Sequence, residues 1–330
     1  CHLVLCESPF LTPAQMARFQ HIAHFGGGPF IATVLDMTFD ASEGEEGLEP
    51  ALVALFARAD NAIDNGSRVL LLSDRSATLE RPPIPSLLAV AGLHNHLVNN
   101  QRRTRVTLIV ETGEAREVHH MATLLGYGAS AVCPYLALAA LPLLREQGLL
   151  SPEVDDETAE ANYLKAVEKG VVKIMSKMGI STVASYRGAQ IFEAIGLSKE
   201  LVDRYFTLTP SRIGGIGARD VARDVLRRTT WQAPVPDGEG GRTLPIAGQY
   251  QWRKEGERHL FDPRTVQLRQ HATKRRKLEI FREYTREIDA APESAITLRG
   301  LLPIKSGASP SPPGEAQPRR PAVRPGRERR

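Results

Sequence analysis

Asp74, Arg75, Glu111, Glu114 and Tyr135 each follow a short apolar run that reads as a parallel strand. They therefore fall at C-terminal strand ends, the edge where α/β proteins place binding groups. A carboxylate and a guanidinium side by side there either hold a carboxylate ligand or pair with each other. A second set, Lys173, Ser176, Lys177, Ser181, Tyr186 and Arg187, surrounds Gly179. A basic, hydroxyl-rich turn of this kind suits an anion or the docking of another domain. His94 and His96, and the adjacent His119 and His120, are of a metal-binding type. Residues one or two apart on a helix diverge, whereas helical metal pairs recur at i,i+4. They read as packing and hydrogen-bonding groups, and no metal site is expected. Gly214-Gly215-Ile216-Gly217 precedes a helical pattern, as a phosphate-cradling turn would. It lacks the Lys-Ser/Thr of a nucleotide loop and shows no clear leading strand, so it reads as a tight turn. Gly26-Gly27-Gly28 precedes a strand and reads as a loop.

The elements that must position these groups alternate in hydrophobic period. Ile31–Phe39 reads as a strand, followed by a helix over Gly47–Asp64 that Asn65-Gly66 ends. Val69–Leu72 is a second strand, with a helix over Ile84–Asn99 after it. Val106–Val110 is a third, then a helix over Glu114–Leu125, and Ala131–Cys133 is a short fourth strand. The β-α-β-α-β-α-β order predicts a parallel sheet, either doubly wound or part of a barrel. Uniformly apolar strands predict cover on both faces. After the acidic stretch Ser151–Glu160 a helix spans Ala161–Met178, and Gly179 stops it. Gly188–Ile195 reads as helical with Gly196 as its cap, and Ala218–Arg228 as a further helix. Pro and Gly over Pro234–Gly241 place a domain boundary near Trp231–Gly241. A short strand at Gln249–Trp252 and helices at Asp262–His271 and Lys277–Ile288 follow. The predicted fold class is α/β, built of parallel β/α repeats, with a partial second domain and a disordered C-terminal tail.

Composition narrows the function classes. With 42% hydrophobic and 24% charged residues over 330, the chain is of ordinary globular type and long enough for two cores. The formal charge of +4 is local. Setting aside the six arginines and two glutamates from Ser306 onward leaves 36 basic and 36 acidic residues. The high pI thus belongs to a Pro/Arg-rich tail without aromatic interleaving, and no nucleic-acid partner is expected. No apolar run reaches membrane-spanning length and no basic-then-apolar leader is seen. Three scattered cysteines point to a reducing, cytoplasmic setting. The chain begins at Cys1, which predicts a processed N-terminus or a piece of a longer protein.

Several strings, in order along the chain, resemble the large (alpha) subunit of the glutamate synthase family. They are LLSDR at Leu71–Arg75 with PIPSLL at Pro83–Leu88, and ETGEAREVHHMATLLGYGASAVCPY within Val110–Tyr135. The densest is KIMSKMGISTVASYRGAQIFEAIG at Lys173–Gly196. SRIGGIG at Ser211–Gly217, Tyr250 with Trp252, HLFDP at His259–Pro263 and TLRGLL at Thr297–Leu302 complete them. The likeness covers roughly Glu7 to Gly307. It implies ammonia assimilation, in which glutamine and 2-oxoglutarate give two glutamates. An amidotransferase domain releases ammonia, and a flavin mononucleotide barrel fed by an iron–sulfur cluster reduces the resulting imine. Residues 1–230 then correspond to the central domain, 231–307 to the start of the FMN-binding domain, and 308–330 to a disordered tail outside the family's sequence. A break in reading frame at Gly307 is one expectation for that tail.

The departures limit what the likeness implies. The family's nucleophile is an N-terminal cysteine followed by glycine, whereas His2 follows Cys1, so the amidotransferase is expected to be absent. A cluster needs three nearby cysteines, but Cys1, Cys6 and Cys133 are scattered. No cofactor is expected in this chain; FMN and the iron–sulfur cluster belong to the full-length family. The implied partners are the remaining domains of the large subunit and an electron donor, either NADPH through a small NADPH-oxidising subunit or ferredoxin. The chain itself is expected to be inactive, a fragment linking amidotransferase and FMN sites; the alternative is a non-catalytic scaffold. On that reading the strand-end residues form a structural network and the set around Gly179 a docking surface.

Overall fold

The computed structural model describes residues 4–24, 30–231, 235–236, 242–243, 248 and 251–289. The chain divides into two compact units, Cys1–Ala233 and Pro234–Arg330.

In the first unit a short helix α1 (Pro13–Gln20) starts at Thr12, whose hydroxyl accepts from Gln15 N while the Gln15 side chain accepts from Thr12 N. Proline at the first helical position completes that start signal. Four strands then alternate with helices. They are β1 (Ala32–Asp36), α2 (Leu48–Asp64), β2 (Val69–Ser73), α3 (Ser86–Asn99), β3 (Thr107–Glu111), α4 (Val118–Gly126) and β4 (Ala131–Cys133). All strands are parallel and stand side by side in sequence order.

That order decides between the two architectures left open by the sequence. Right-handed crossovers that always step the same way put every helix on one face. Leu35, Leu70, Leu72, Leu108, Val110 and Val132 accordingly pack with α2, α3 and α4 in the main core. Alternate residues Val69, Leu71, Ile109, Ala131 and Cys133 face the other way, where Leu11, Met16 and Phe19 cover them. A doubly wound sheet reverses direction at its middle, and this one does not; it winds as part of a barrel does. The free side of β4 is covered by Pro9–Leu11, with Leu11 N donating to Val132 O at 2.9 Å and Val132 N to Pro9 O at 2.8 Å.

The unit continues with α5 (Tyr135–Glu146), α6 (Asp156–Met178), α7 (Val183–Tyr186), β5 (Ala194–Leu197), α8 (Lys199–Tyr205), β6 (Ser211–Ile216) and α9 (Ala218–Trp231). Gly179 ends α6 at φ 72°, the left-handed stop its position predicts. The helix expected over Gly188–Ile195 does not form. Gly188 and Gln190 sit at φ 72° and 54°, which breaks any helical run, and Ala194–Leu197 pairs instead with β6. Gly196 is therefore a strand residue, not a cap. Gly214 and Gly215 lie in β6, so a strand does lead into α9, and the tight-turn reading is corrected. A Cβ on Gly215 would stand 2.2 Å from Gly196 O, so glycine permits the close approach of the two strands.

The second unit contains a short antiparallel pair, β7 (Val235–Pro236) with β8 (Arg242–Thr243), and a helical hairpin, α10 (Pro263–Arg275) and α11 (Leu278–Asp289). Asp262 caps α10 in a reciprocal box with Thr265, and Arg264 reaches Glu287 at 2.8 Å across the hairpin. Gln251 and Trp252 are not in a strand; the rest of that expected strand, Gly26-Gly27-Gly28 and the tail from Ser306 lie outside the described residues.

Candidate functional site

The register aligns Ser73, Glu111 and Cys133 across the C-terminal ends of β2, β3 and β4. Ser73 Oγ donates to Glu111 Oε2 at 2.7 Å, and Arg75 Nε to Glu111 Oε1 at 2.5 Å. Glu111 is fully enclosed while the Arg75 side chain is 47% exposed, so one end of the pair meets water. The Arg75 guanidinium lies 4.3 Å over the Tyr135 ring centroid, a cation–π contact. Its bond to Glu111 raises its pKa above the ordinary value and fixes its charge.

Asp74, also buried, accepts from Thr112 Oγ1 at 2.6 Å and from Gly113 N at 3.0 Å. Burial raises its pKa against the lowering effect of these donors. The Tyr135 hydroxyl adjoins the same carboxylate, and burial and then the Asp74 charge raise its pKa. Glu114 Oε2 accepts from Ser86 N at 2.7 Å, placing a carboxylate on the N-terminus of α3. All five strand-end residues predicted from the sequence are thus brought together, and each carboxylate finds its donors inside the chain. Ser73, Ser86 and Thr112 were missed; the strings SDR and ETGE contain or adjoin the first and last. Asp36, at the same level on β1, was missed too; it accepts from Thr38, Ser76 and Arg81.

Asp74, Glu114 and Tyr135 of the network line an open cleft of about 740 Å³. Its walls include Arg116, His120 and, from α9, Arg228. Cys133, at the same strand level, is buried, and burial pushes its thiol up to about 12, far from a thiolate nucleophile.

The set around Gly179 is not one surface. Lys173, Ser176, Lys177 and Ser181 are exposed, but Tyr186 is wholly buried and Arg187 turns inward to donate to Ser130 Oγ at 2.6 Å. The histidines separate likewise. His96 Nε2 meets Asp60 Oδ2 at 2.7 Å, His94 Nδ1 accepts from Arg103, His119 lies edge-on to Phe192, and His120 neighbours Glu117. Among the described residues no three His, Cys, Asp or Glu side chains gather as metal ligands.

The glutamate synthase central domain family model matches residues 1–198. The chain belongs to the glutamate synthase central-domain family. The large chain of the NADPH glutamate synthase of Bacillus subtilis is 43% identical over 303 residues, covering 92% of this chain and 19% of that one. The NADH glutamate synthase of Schizosaccharomyces pombe is 37% identical over 315 residues, covering 96% and 15%. The ferredoxin-dependent chloroplastic glutamate synthase of Spinacia oleracea is 39% identical over 329 residues, covering 96% and 20%. The chain thus spans about a fifth or less of the length of these glutamate synthases. Glutamate synthases carry FMN and an iron–sulfur cluster in their full length. The described residues do not fit those groups. Cys6 is exposed, Cys133 is locked in the sheet, and the N-terminus of α9 after Gly217 is filled by Asp220, whose Oδ2 accepts from Gly217 N at 3.0 Å. No helix among the described residues is long and apolar enough to cross a membrane.

Proposed function

We propose that this chain serves glutamate synthesis from glutamine and 2-oxoglutarate as a rigid connecting piece of a large subunit, and supplies no reacting group itself. The observation that carries this reading is the saturation of the strand-end network. Glu111, Asp74 and Glu114 each accept from donors of this chain. A general base needs a free carboxylate at the cleft, and carboxylates engaged within the chain support position over chemistry. The first unit, Cys1–Ala233, takes the part of the central domain, and the second the beginning of the FMN-binding domain. Partners are then the remaining domains of the large subunit and, where NADPH rather than ferredoxin is the donor, a small NADPH-oxidising subunit. The unpaired Cys6 and Cys133 suit the cytoplasm. The exposed Lys173, Ser176, Lys177 and Ser181 offer a docking face to those domains.

The test is spectroscopic and kinetic. Purified chain is expected to show no visible flavin absorbance and to form no glutamate from glutamine, 2-oxoglutarate and NADPH. Stoichiometric flavin, or turnover above a heat-denatured control, overturns the reading.

A further inference from the structure

At the opposite, N-terminal end of the strands lies a cluster of positive charge. Arg103, just after α3, donates Nε to His94 Nδ1 at 2.9 Å. Its terminal nitrogens donate to the carbonyls of Val106 and Gly128, each at 2.8 Å. All three acceptors are neutral. The imidazole can only accept here because it is uncharged: burial, then the Arg103 and Arg187 charges, lower His94 to about 4. Gly128 has φ 120°, and a Cβ there would stand 2.3 Å from His94 Nδ1, so the backbone is shaped around this contact.

Arg187, the first residue after α7, precedes Gly188, where a Cβ would lie 4.0 Å from Nε2 of the same His94; burial, then the Arg187 charge, lowers Arg103 to about 10. Its hydrogen bond is to the Ser130 hydroxyl, which is also neutral. Other half-buried arginines of this chain are paired with carboxylates, Arg102 with Asp64 at 2.8 Å and Arg75 with Glu111. Among the described residues no carboxylate lies within salt-bridge distance of Arg103 or Arg187. Two like charges near each other, one of them half-buried beside a cavity, favour an anion that offsets them. Arg187 and Ser130 also line a cavity of about 450 Å³, together with Cys6, Glu7, Ser8 and Thr107.

We propose that this basal cavity seats one small oxyanion, a carboxylate or a phosphate, held by the free nitrogens of Arg187 with the Ser130 hydroxyl beside it. Guanidinium presents a planar fork that matches two oxygens of such a group. Each nitrogen of Arg103 already donates within the chain, so Arg103 contributes chiefly charge. Glu7 lines the same cavity and is the chain's own competitor for the fork.

Isothermal titration of the full 330-residue chain with inorganic phosphate, and separately with acetate, tests this at fixed ionic strength in chloride. Saturable binding of one equivalent is expected; the ion that binds more tightly tells a tetrahedral phosphate from a planar carboxylate as the natural occupant. Arg187→Lys keeps the charge but loses the fork, and is expected to weaken binding about tenfold. Arg187→Gln should abolish it, and Glu7→Gln should tighten it. Absence of saturable binding to the unaltered chain overturns the proposal. So does binding that Arg187→Lys and Arg187→Gln, each folded by circular dichroism, leave unchanged.

Discussion

Buried polar groups at both ends of the sheet set the cost of single substitutions. Glu111→Ala removes the acceptor of Ser73 Oγ and of Arg75 Nε. Arg75 reaches water, but Ser73 is buried, so a loss of about 1–3 kcal/mol is expected in urea unfolding. His94 gives a pH signature. Its folded value, about 4, lies below its ordinary 6.5. Between those values the unfolded chain binds a proton that the folded chain refuses. The stability it contributes is therefore present above pH 6.5 and lost as pH falls toward 4, by about 3 kcal/mol. His94→Gln keeps an acceptor for Arg103 without titrating, and its unfolding midpoint should fall less steeply across that window; parallel curves for both proteins would defeat the assignment. The Glu111–Arg75 network was legible in the sequence, but the His94 contact was not. His94 could be set apart from metal ligands by spacing, but its partner Arg103 lies across a turn, and the burial that holds it neutral is tertiary.

At the scale of elements, the central strands of the four-stranded sheet were legible, whereas β5, β6 and the irregular segments were not. Val69–Leu72, Val106–Val110 and Ala131–Cys133 are apolar, β-branched runs buried on both faces, and each lies within one residue at either end of the strand that forms. Gly188–Ile195 carried helix-like apolar spacing because Ile191, Phe192 and Ala194 each touch the core. They do so from a left-handed, winding backbone that no periodicity reports. The short helices α1, α5 and α8 were also missed, being set by local caps such as Thr12 and Ser198 more than by a long stripe. The glycines at the two kinds of element end allow a comparison. Gly179→Val meets no atom within 4 Å and suffers only the left-handed strain, about 1–2 kcal/mol. Gly215→Val drives its Cβ into the Gly196 carbonyl, a backbone atom that must move with the strand. It should cost more than Gly179→Val by about 1–3 kcal/mol and loosen β5–β6, as read by thermal melting and amide exchange of Ala194–Leu197. Equal midpoints for the two variants would show that the strand pair yields without resistance.

The whole molecule divides unevenly. Both hydrophobic clusters lie within residues 10–225, whereas the described part of the second unit buries little beyond Thr265 and Ala272. Leu278 and Phe281 of α11 are 60% and 52% exposed. Cys1–Ala233 expressed alone should therefore melt within about 2 °C of the full chain, and a much larger drop would show that the second unit supports the first. The sheet adds a different consequence. Its β4 side is occupied by Pro9–Leu11, so among the described residues the open flank of this four-stranded sheet is the one beside β1, where Val34 is exposed. Two copies that met through that single open border would consume it in both. Such a pairing is isologous and ends at two, with no border left for a third. Pairing through this one sheet can therefore make a dimer, but it cannot grow a fibre.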